Sequence, residues 1–369
     1  ESRSPPTAAP MPPTVPPPTA PMPPTRPEPG KLAPTVAGPR PRAALHTLGC
    51  RLNAAETDLL RRQLEGAGYQ VVPWGEDAEL CVVNTCTVTA QADAKSRQAL
   101  RAARRRSPGA TLAATGCYAQ RRPEALARQG LADLVVGNGE KLRLLAHLAQ
   151  TPEPEGAPAR VVAPRLPRGA FRLEGFDAGE LITSDGDTRA HLKVQDGCDF
   201  MCAFCVIPAV RGRARPRALD DLLAEAGALA DAGYREIVLT GVNLGTYADA
   251  GADLVRAVDA LAAIHGLARL RISSIEPTTV AAGLLERMAH PGHRLVPFLH
   301  LPLQSGAERV LAAMRRRHGA ADWRAFAEEA LARVPALCLG TDVLVGFPGE
   351  DDAAFAETVA LGTPVMPAE

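Results

Sequence analysis

The densest chemistry in the chain is the stretch "GCDFMCAFC" at 197–205, which sets Cys198, Cys202 and Cys205 in the spacing C-x-x-x-C-x-x-C. Thiolates in a tight loop are metal ligands before they are anything else. A structural zinc takes four protein ligands, and this loop offers three. A [4Fe–4S] cluster held by three thiolates keeps one iron open to another molecule, which suits chemistry rather than folding. The alternative is a zinc knuckle that borrows a histidine such as His191, although no histidine stands at knuckle spacing.

Three more cysteines share a different pattern. "ALHTLGC" (44–50), "LCVVNTC" (80–86) and "TLAATGC" (111–117) each read as a short apolar strand that ends at a cysteine: Cys50, Cys86 and Cys117. In a parallel sheet all strand C-termini lie along one edge, where ligand sites form. The three thiols are therefore expected to converge on a second metal site. The plainer reading is three unrelated buried thiols, because free cysteine is among the most buried residue types. Gly49 and Gly116 precede two of them and permit close backbone approach. Cys81 and Cys338 fall inside strand patterns and read as core thiols.

The elements that must position these residues alternate between strand and helix from residue 43 onward. "NAAETDLLRRQLEGAGY" carries Leu59, Leu60 and Leu64 at helical spacing, with Gly66 and Gly68 as stops. "ADAKSRQALRAARRR" is a basic helix, "LADLVVG" (131–137) a further strand, and a helix follows from about Glu140. Residues 151–183, rich in Pro, Gly and Ala, read as a linker. A second series places strands at 189–194, 235–240, 268–273, 298–302 and 338–345. The expected fold class is α/β: an N-terminal parallel-sheet domain over 43–150, then an incomplete (β/α) barrel over 184–369. Residues 1–42 are dominated by proline, with "APMPPT" at both 9–14 and 20–25, and are expected to form a disordered tail.

Bulk composition narrows the function classes. The 369 residues contain 41 Lys+Arg and 41 Asp+Glu, so no global basic field advertises nucleic acid and any RNA site must be a local patch. No apolar run reaches membrane-spanning length and no signal peptide is evident, so no membrane partner is expected. Eight cysteines in such a chain are too few for a disulfide scaffold and suit a reducing, cytoplasmic setting.

The cysteine loop, with Phe204 just before its last Cys and a strand before it, resembles the radical S-adenosylmethionine superfamily. With "TLGCRLNAAETD", "VVNTCTVTAQADAKSRQ" and "ATGCYAQ" ahead of "KVQDGCDFMCAFCVIPAVRGRARPR", the chain resembles the methylthiotransferases over roughly 43–360. The resemblance implies two [4Fe–4S] clusters, one on Cys198, Cys202 and Cys205 and one on Cys50, Cys86 and Cys117, with S-adenosylmethionine on the open iron of the first. It implies a 5′-deoxyadenosyl radical that takes hydrogen from C2 of the adenine at position 37, in the tRNA anticodon loop. Sulfur insertion and methyl transfer from a second S-adenosylmethionine would follow. A cellular electron donor and a sulfur donor would be partners. Among branches, these motifs are most similar to those acting on N6-threonylcarbamoyladenosine; isopentenyladenosine tRNA and a ribosomal protein are the other substrates. The non-catalytic alternative is a module whose six cysteines hold iron–sulfur or zinc for structure only. Family members usually continue into a sixth barrel strand and a small RNA-binding β-barrel (the TRAM domain), so the chain is expected to be a truncated copy.

The resemblance also points to Glu276 ("SSIEP"), Gln304 ("LPLQSG") and Asp342 ("GTDVLVGFPGE") as contacts to S-adenosylmethionine, with Gly241 and Gly245 letting the backbone approach its methionine part. Turn stabilisation or capping is the rival reading for each. Arg101–Arg106 and Arg315–Arg317 read as solvated basic faces. Arg211, Arg213 and Arg215 follow the cysteine loop directly and are expected to meet tRNA phosphate.

Overall fold

The computed structural model describes residues 39–151, 158–164, 166, 169–172 and 189–365. The proline-rich segment up to residue 38, part of the expected linker and residues 366–369 lie outside the described residues.

The first half is built on a six-stranded parallel sheet. Its strands are β1 (Arg42–Thr47), β2 (Gln70–Val72), β3 (Leu80–Thr85), β4 (Thr111–Gly116), β5 (Leu134–Val136) and β6 (Arg160–Val162), in the order β2-β1-β3-β4-β5-β6. Every residue of β3 is buried, as expected of a central parallel strand covered on both faces. Alternation along the strands divides the core in two. One face sets Ala44, Cys81, Val83, Ala114 and Val135 with Leu100 and Ala103 of helix α2 (Ala90–Arg106). The other sets Leu45, Val82, Ala113 and Leu134 with Leu60 and Leu64 of helix α1 (Arg51–Gly66). Shorter helices α3 (Cys117–Arg121), α4 (Pro123–Arg128) and α5 (Leu144–Leu148) complete the connections. Thr89 caps α2 by accepting from the Ala92 amide at 3.0 Å.

Residues 160–162 correct the expectation of a pure linker. β6 pairs parallel with β5, Leu134 opposite Arg160 and Val136 opposite Val162. A three-residue "RVV" between proline-rich runs is too short to show a period, but its two valines suit an edge strand.

The second half continues the alternation. β7 (Ala190–Lys193) is followed by β8 (Gln195–Asp196) and helix α6 (Ile207–Arg211), and β8 pairs antiparallel with β9 (Arg215–Pro216). Helix α7 (Leu219–Asp231) leads to β10 (Glu236–Thr240); a two-residue pair, β11 (Ala248–Asp249) and β12 (Ala252–Asp253), precedes helix α8 (Leu254–Ala262). β13 (Arg269–Ile272), α9 (Ala282–Ala289), β14 (Phe298–His300), α10 (Glu308–Ala313), α11 (Ala320–Arg333), β15 (Cys338–Gly340) and α12 (Asp352–Val365) follow. β7, β10 and β13 form a parallel sheet, β14 and β15 a parallel pair, and bridges Leu270–Leu295 and Ser274–His300 join the two sets. Each long strand thus lies beside the next in sequence, as in a barrel wall. Leu192, Leu239, Ile272 and Leu299 fill the core with Leu222, Val258 and Trp323 from the helices.

Two expectations fail at the last strand. It stops at Gly340 rather than running to 345, and Cys338 is exposed rather than a core thiol. Beyond Gly340 the backbone turns to Gln304, whose amide donates to the Asp342 carbonyl and whose carbonyl accepts from Leu344, both at 2.8 Å. Val343 and Val345, which suggest a longer strand by alternation, are exposed.

The two halves meet where α1 lies against β7, and the seam holds buried charge. Glu56, on α1, accepts from Lys141 at 2.5 Å and Lys193 at 2.6 Å, and both Arg211 Nη atoms reach it at 3.0 Å. Asp196 accepts from Lys193 at 2.7 Å and Arg211 at 3.0 Å. Burial pushes both carboxyls up, but the cations outweigh it: Lys193 and Arg211 hold Asp196 down to about 2, and Arg211, Lys141 and Lys193 hold Glu56 well below the usual range. Folded carboxyls that bind protons more weakly than unfolded ones add stability above the unfolded pKa and lose it as pH falls. The urea midpoint is expected to hold near neutrality and to fall steadily below about pH 4.5. A midpoint flat down to about pH 3 would contradict the pairing.

Candidate metal centres

Strand register brings the first three cysteines to one edge. Thr47 stands opposite Asn84, Asn84 opposite Thr115, and Thr85 opposite Gly116, on the adjacent strands β1, β3 and β4. Cys50, Cys86 and Cys117 follow these positions at the C-terminal edge. Gly49 has φ +96°, and a Cβ there would stand 2.7 Å from Cys86 Sγ, so the Cys50 loop lies directly on Cys86. Ser96 of α2 holds Cys86 from both sides: its Oγ accepts from the Cys86 amide at 3.1 Å and donates to its carbonyl at 2.9 Å. Asn138 Nδ2 approaches Cys117 Sγ at 3.6 Å. Cys86 and Cys117 are buried and Cys50 is exposed. Burial pushes the Cys86 thiol up, and charge on Cys117 and Cys50 adds to the rise.

The second trio sits just past β8. Gly197 has φ +72°, and a Cβ there would stand 2.6 Å from the Arg213 carbonyl carbon and 2.7 Å from the Gly212 oxygen. The Cys198 amide donates to Gly212 at 3.0 Å, the Cys205 amide to Cys202 at 3.1 Å, and the Ala203 amide to Met314 at 2.9 Å. Cys198 Sγ accepts from the Phe200 amide at 3.3 Å, and Cys202 Sγ from Arg316 Nη1 at 3.5 Å. Burial pushes the Cys198 thiol up to about 11 and raises Cys205, with the neighbouring cysteines adding to both. Thiols raised in this way, Cys198 and Cys205, stay protonated at neutral pH unless a metal removes their protons.

Among the described residues no three Cys, His, Asp or Glu side chains close on a single ion. The donor set of three cysteines in one tight loop, turned at the positive-φ Gly197, fits the barrel loop to an iron–sulfur cluster.

Comparison with known proteins agrees. Residues 42–137 match the model of the uncharacterized protein family UPF0004, and residues 192–362 that of the radical SAM superfamily. The threonylcarbamoyladenosine tRNA methylthiotransferase MtaB of Aquifex aeolicus is 38% identical over 318 residues, which is 86% of this chain and 76% of that protein. The chain belongs to the radical S-adenosylmethionine methylthiotransferase family. Another relative, the tRNA-2-methylthio-N(6)-dimethylallyladenosine synthase of Cereibacter sphaeroides, is also 38% identical, over 86% of this chain and 72% of its own length. In fold the chain is similar to the radical S-adenosylmethionine methyltransferase TsrM from Kitasatospora setae, at a TM-score of 0.60 and 18% identity, over 88% of this chain and 73% of that one. An iron–sulfur cluster and S-adenosylmethionine are the cofactors of this family.

Around the methylthiotransferase barrel loop the other expected residues separate. Glu276, just past β13, pairs through both carboxylate oxygens with Arg316, which also donates to the Pro302 carbonyl at 3.2 Å. Burial raises the Glu276 carboxyl, opposed by Arg316. Gln304 lies in the left-handed region at φ +72°, held by its backbone bonds to Asp342 and Leu344. Asp342 is largely exposed, 3.4 Å from His300. A Cβ at Gly241 would stand 2.7 Å from the Leu244 side chain and one at Gly245 2.5 Å from the Thr279 side chain, so neighbouring residues fill the space beside both glycines.

The arginine expectation needs correction. Arg211 and Arg215 are buried at 1% and 7% exposure and committed to Glu56 and Asp196, so they cannot also meet a phosphate. Arg213 alone of the three is on the surface, 3.5 Å from Asp199. Arg317, read as part of a solvated face, stacks on Phe200 at 3.9 Å beside the cysteine loop, where Met201 and Phe204 are exposed.

Sequence reasoning missed Arg316, hidden in an "RRR" run, and Gln195. The Gln195 side chain accepts from Val242 at 2.9 Å and Asn243 at 3.1 Å and donates to the Gly197 carbonyl at 2.7 Å. It thereby ties the loop after β10 to the cysteine loop. The only signal was a polar residue in "KVQDGC" at a strand end.

Proposed function

We propose that this methylthiotransferase modifies tRNA, placing a methylthio group at C2 of N6-threonylcarbamoyladenosine at position 37 with two [4Fe–4S] clusters. The observation that carries this reading is two cysteine trios, each at a strand C-terminal edge, in a chain whose relatives are named as tRNA methylthiotransferases. Cys198, Cys202 and Cys205 hold the cluster that works with S-adenosylmethionine, and Cys50, Cys86 and Cys117 hold the second. When bound, the first cluster with S-adenosylmethionine supplies a 5′-deoxyadenosyl radical, needed because an aromatic C–H resists ordinary acid–base chemistry.

The chain's own residues bind and orient. Arg316 and Glu276 present a buried guanidinium and carboxylate beside Cys202, suited to the carboxylate and amino groups of the methionine part. Gln304 and Asp342, at the ends of neighbouring segments, complete that mouth. Arg213 and Arg317, with exposed Met201 and Phe204, offer charge and stacking surface to an unstacked loop base. The working units are the N-terminal sheet domain, which β6 extends to Val162, and the barrel from β7 onward, in the cytoplasm and served by a cellular reductant. The motifs around Cys86 and Cys198 favour the threonylcarbamoyl substrate over the isopentenyl one.

Mass spectrometry of tRNA nucleosides from a deletion strain, with and without this gene, tests the reading. The expected result is loss and return of the methylthio form of threonylcarbamoyladenosine. Restoration of methylthio-isopentenyladenosine instead would overturn the substrate, and no change in any methylthio nucleoside would overturn tRNA as target.

A further inference from the structure

The buried charge at the seam reaches both cysteine sites. On the N-terminal side, Asn53 Nδ2 donates to the Leu48 carbonyl at 2.7 Å and the Thr85 carbonyl at 3.1 Å. Leu48 lies two residues before Cys50, and Thr85 immediately precedes Cys86. Asn53 Oδ1 accepts from Arg211 Nη2 at 2.6 Å. Arg211 in turn bonds Asp196 Oδ1 at 3.0 Å, which accepts from the Gly197 amide at 2.9 Å, one residue before Cys198. A second strand of the connection runs from Asn138, whose Nδ2 donates to the Val210 carbonyl at 2.8 Å while lying beside Cys117. One guanidinium, 1% exposed, thus joins a side chain that clamps two N-terminal cysteine loops to the carboxylate that shapes the barrel loop.

We infer that Asn53, Glu56, Asp196 and Arg211 form a positioning device that fixes the N-terminal cysteine edge and the barrel cysteine loop at one mutual placement. Buried ion networks are seldom the cheapest way to stabilise a seam, since apolar packing does as well or better. What they supply is a single geometry: a planar fork with directional partners cannot slide as leucines can. The network also carries four cations, Lys141, Lys193, Arg211 and Arg215, against two carboxylates. Its purpose rests on the two-cluster reading above, because sulfur leaving one site must arrive where the other has activated a carbon. The residues act through the loops they hold and touch no substrate.

The test uses the full chain without cofactor or RNA, so it stands apart from the substrate assignment. Amide hydrogen exchange is followed at Leu48 and Cys86 on one side and Gly197 and Cys198 on the other. A positioning link is reciprocal. Asn53→Ala is expected to speed exchange of the barrel amides about tenfold, and Arg211→Lys that of the N-terminal amides by a similar factor, while core strand amides stay protected. Gln63→Ala, which removes a 3.0 Å bond to Leu142 outside the network, is expected to change neither loop. A rise confined to the substituted side, or a uniform rise across both sheets, would overturn the inference. In reconstituted enzyme at unchanged iron content, Arg211→Lys is expected to raise the ratio of 5′-deoxyadenosine to methylthio product several-fold; an unchanged ratio would equally overturn it.

Discussion

Cys202→Ala is expected to abolish reductive cleavage of S-adenosylmethionine, while Cys50→Ala keeps that cleavage and makes no methylthio product. The asymmetry follows from where the thiols stand. Cys202 Sγ accepts from Arg316, which pairs with Glu276, the charged couple proposed above to meet the amino-acid end of S-adenosylmethionine. Removing Cys202 takes one of three thiols from a loop that has no fourth. Cys50 belongs to the other edge, exposed at the start of α1, and the barrel loop does not depend on its sulfur. Reconstituted wild-type protein is expected to carry about eight irons, and the Cys198/Cys202/Cys205→Ala triple variant about four. 5′-Deoxyadenosine and methylthio nucleosides are quantified side by side under reductant. Normal methylthiolated tRNA from Cys50→Ala would return Cys50, Cys86 and Cys117 to the role of ordinary thiols. An iron count unmoved by the triple substitution would remove the barrel loop from the assignment.

How much of this was legible in the sequence depended on whether the signal was local. Strand runs that end on a cysteine declare both the strand and the edge, so the convergence of Cys50, Cys86 and Cys117 could be argued before any coordinates. The partners of Arg211 could not. Glu56 lies 155 residues away in a helix where an acidic residue looks solvated, and Asn53 occupies a position that reads as a helix start. An arginine run beside an active loop has the same sequence whether it faces phosphate or a buried carboxylate; only burial distinguishes them. The length of β15 failed for a related reason. Alternating Val343 and Val345 describe a strand's period, but nothing local says that pairing there shrinks to a single bridge between Gln304 and Val343. Gly197 stands within the cysteine motif, yet the crowding that makes it necessary comes from residues 212 and 213 across the clip of β8 and β9.

That crowding sets the other large effect. Gly197→Ala is expected to destabilise the protein by about 3 kcal/mol, from roughly 1–2 kcal/mol of left-handed backbone strain and a further 1–3 kcal/mol of overpacking. The obstruction is backbone: the Arg213 carbonyl and the Gly212 oxygen surround the missing Cβ, and neither can rotate away as a side chain would. Relief requires β8 and β9 to part, which breaks the Cys198–Gly212 hydrogen bond of 3.0 Å and moves the first cysteine of the loop. Gly130→Ala separates strain from crowding. Gly130 also has positive φ, at +61°, but nothing lies within 4 Å of a Cβ there. That variant is expected to lose only about 1 kcal/mol and to keep the barrel loop intact. Urea midpoints of both variants, with alkylation rates of Cys198 in the folded protein, make the comparison. Cys198 should react faster in Gly197→Ala and at the wild-type rate in Gly130→Ala. If the two variants lost the same stability and left Cys198 equally protected, the loop would be more pliable than its hydrogen bonds imply, and its glycine would be needed for φ alone.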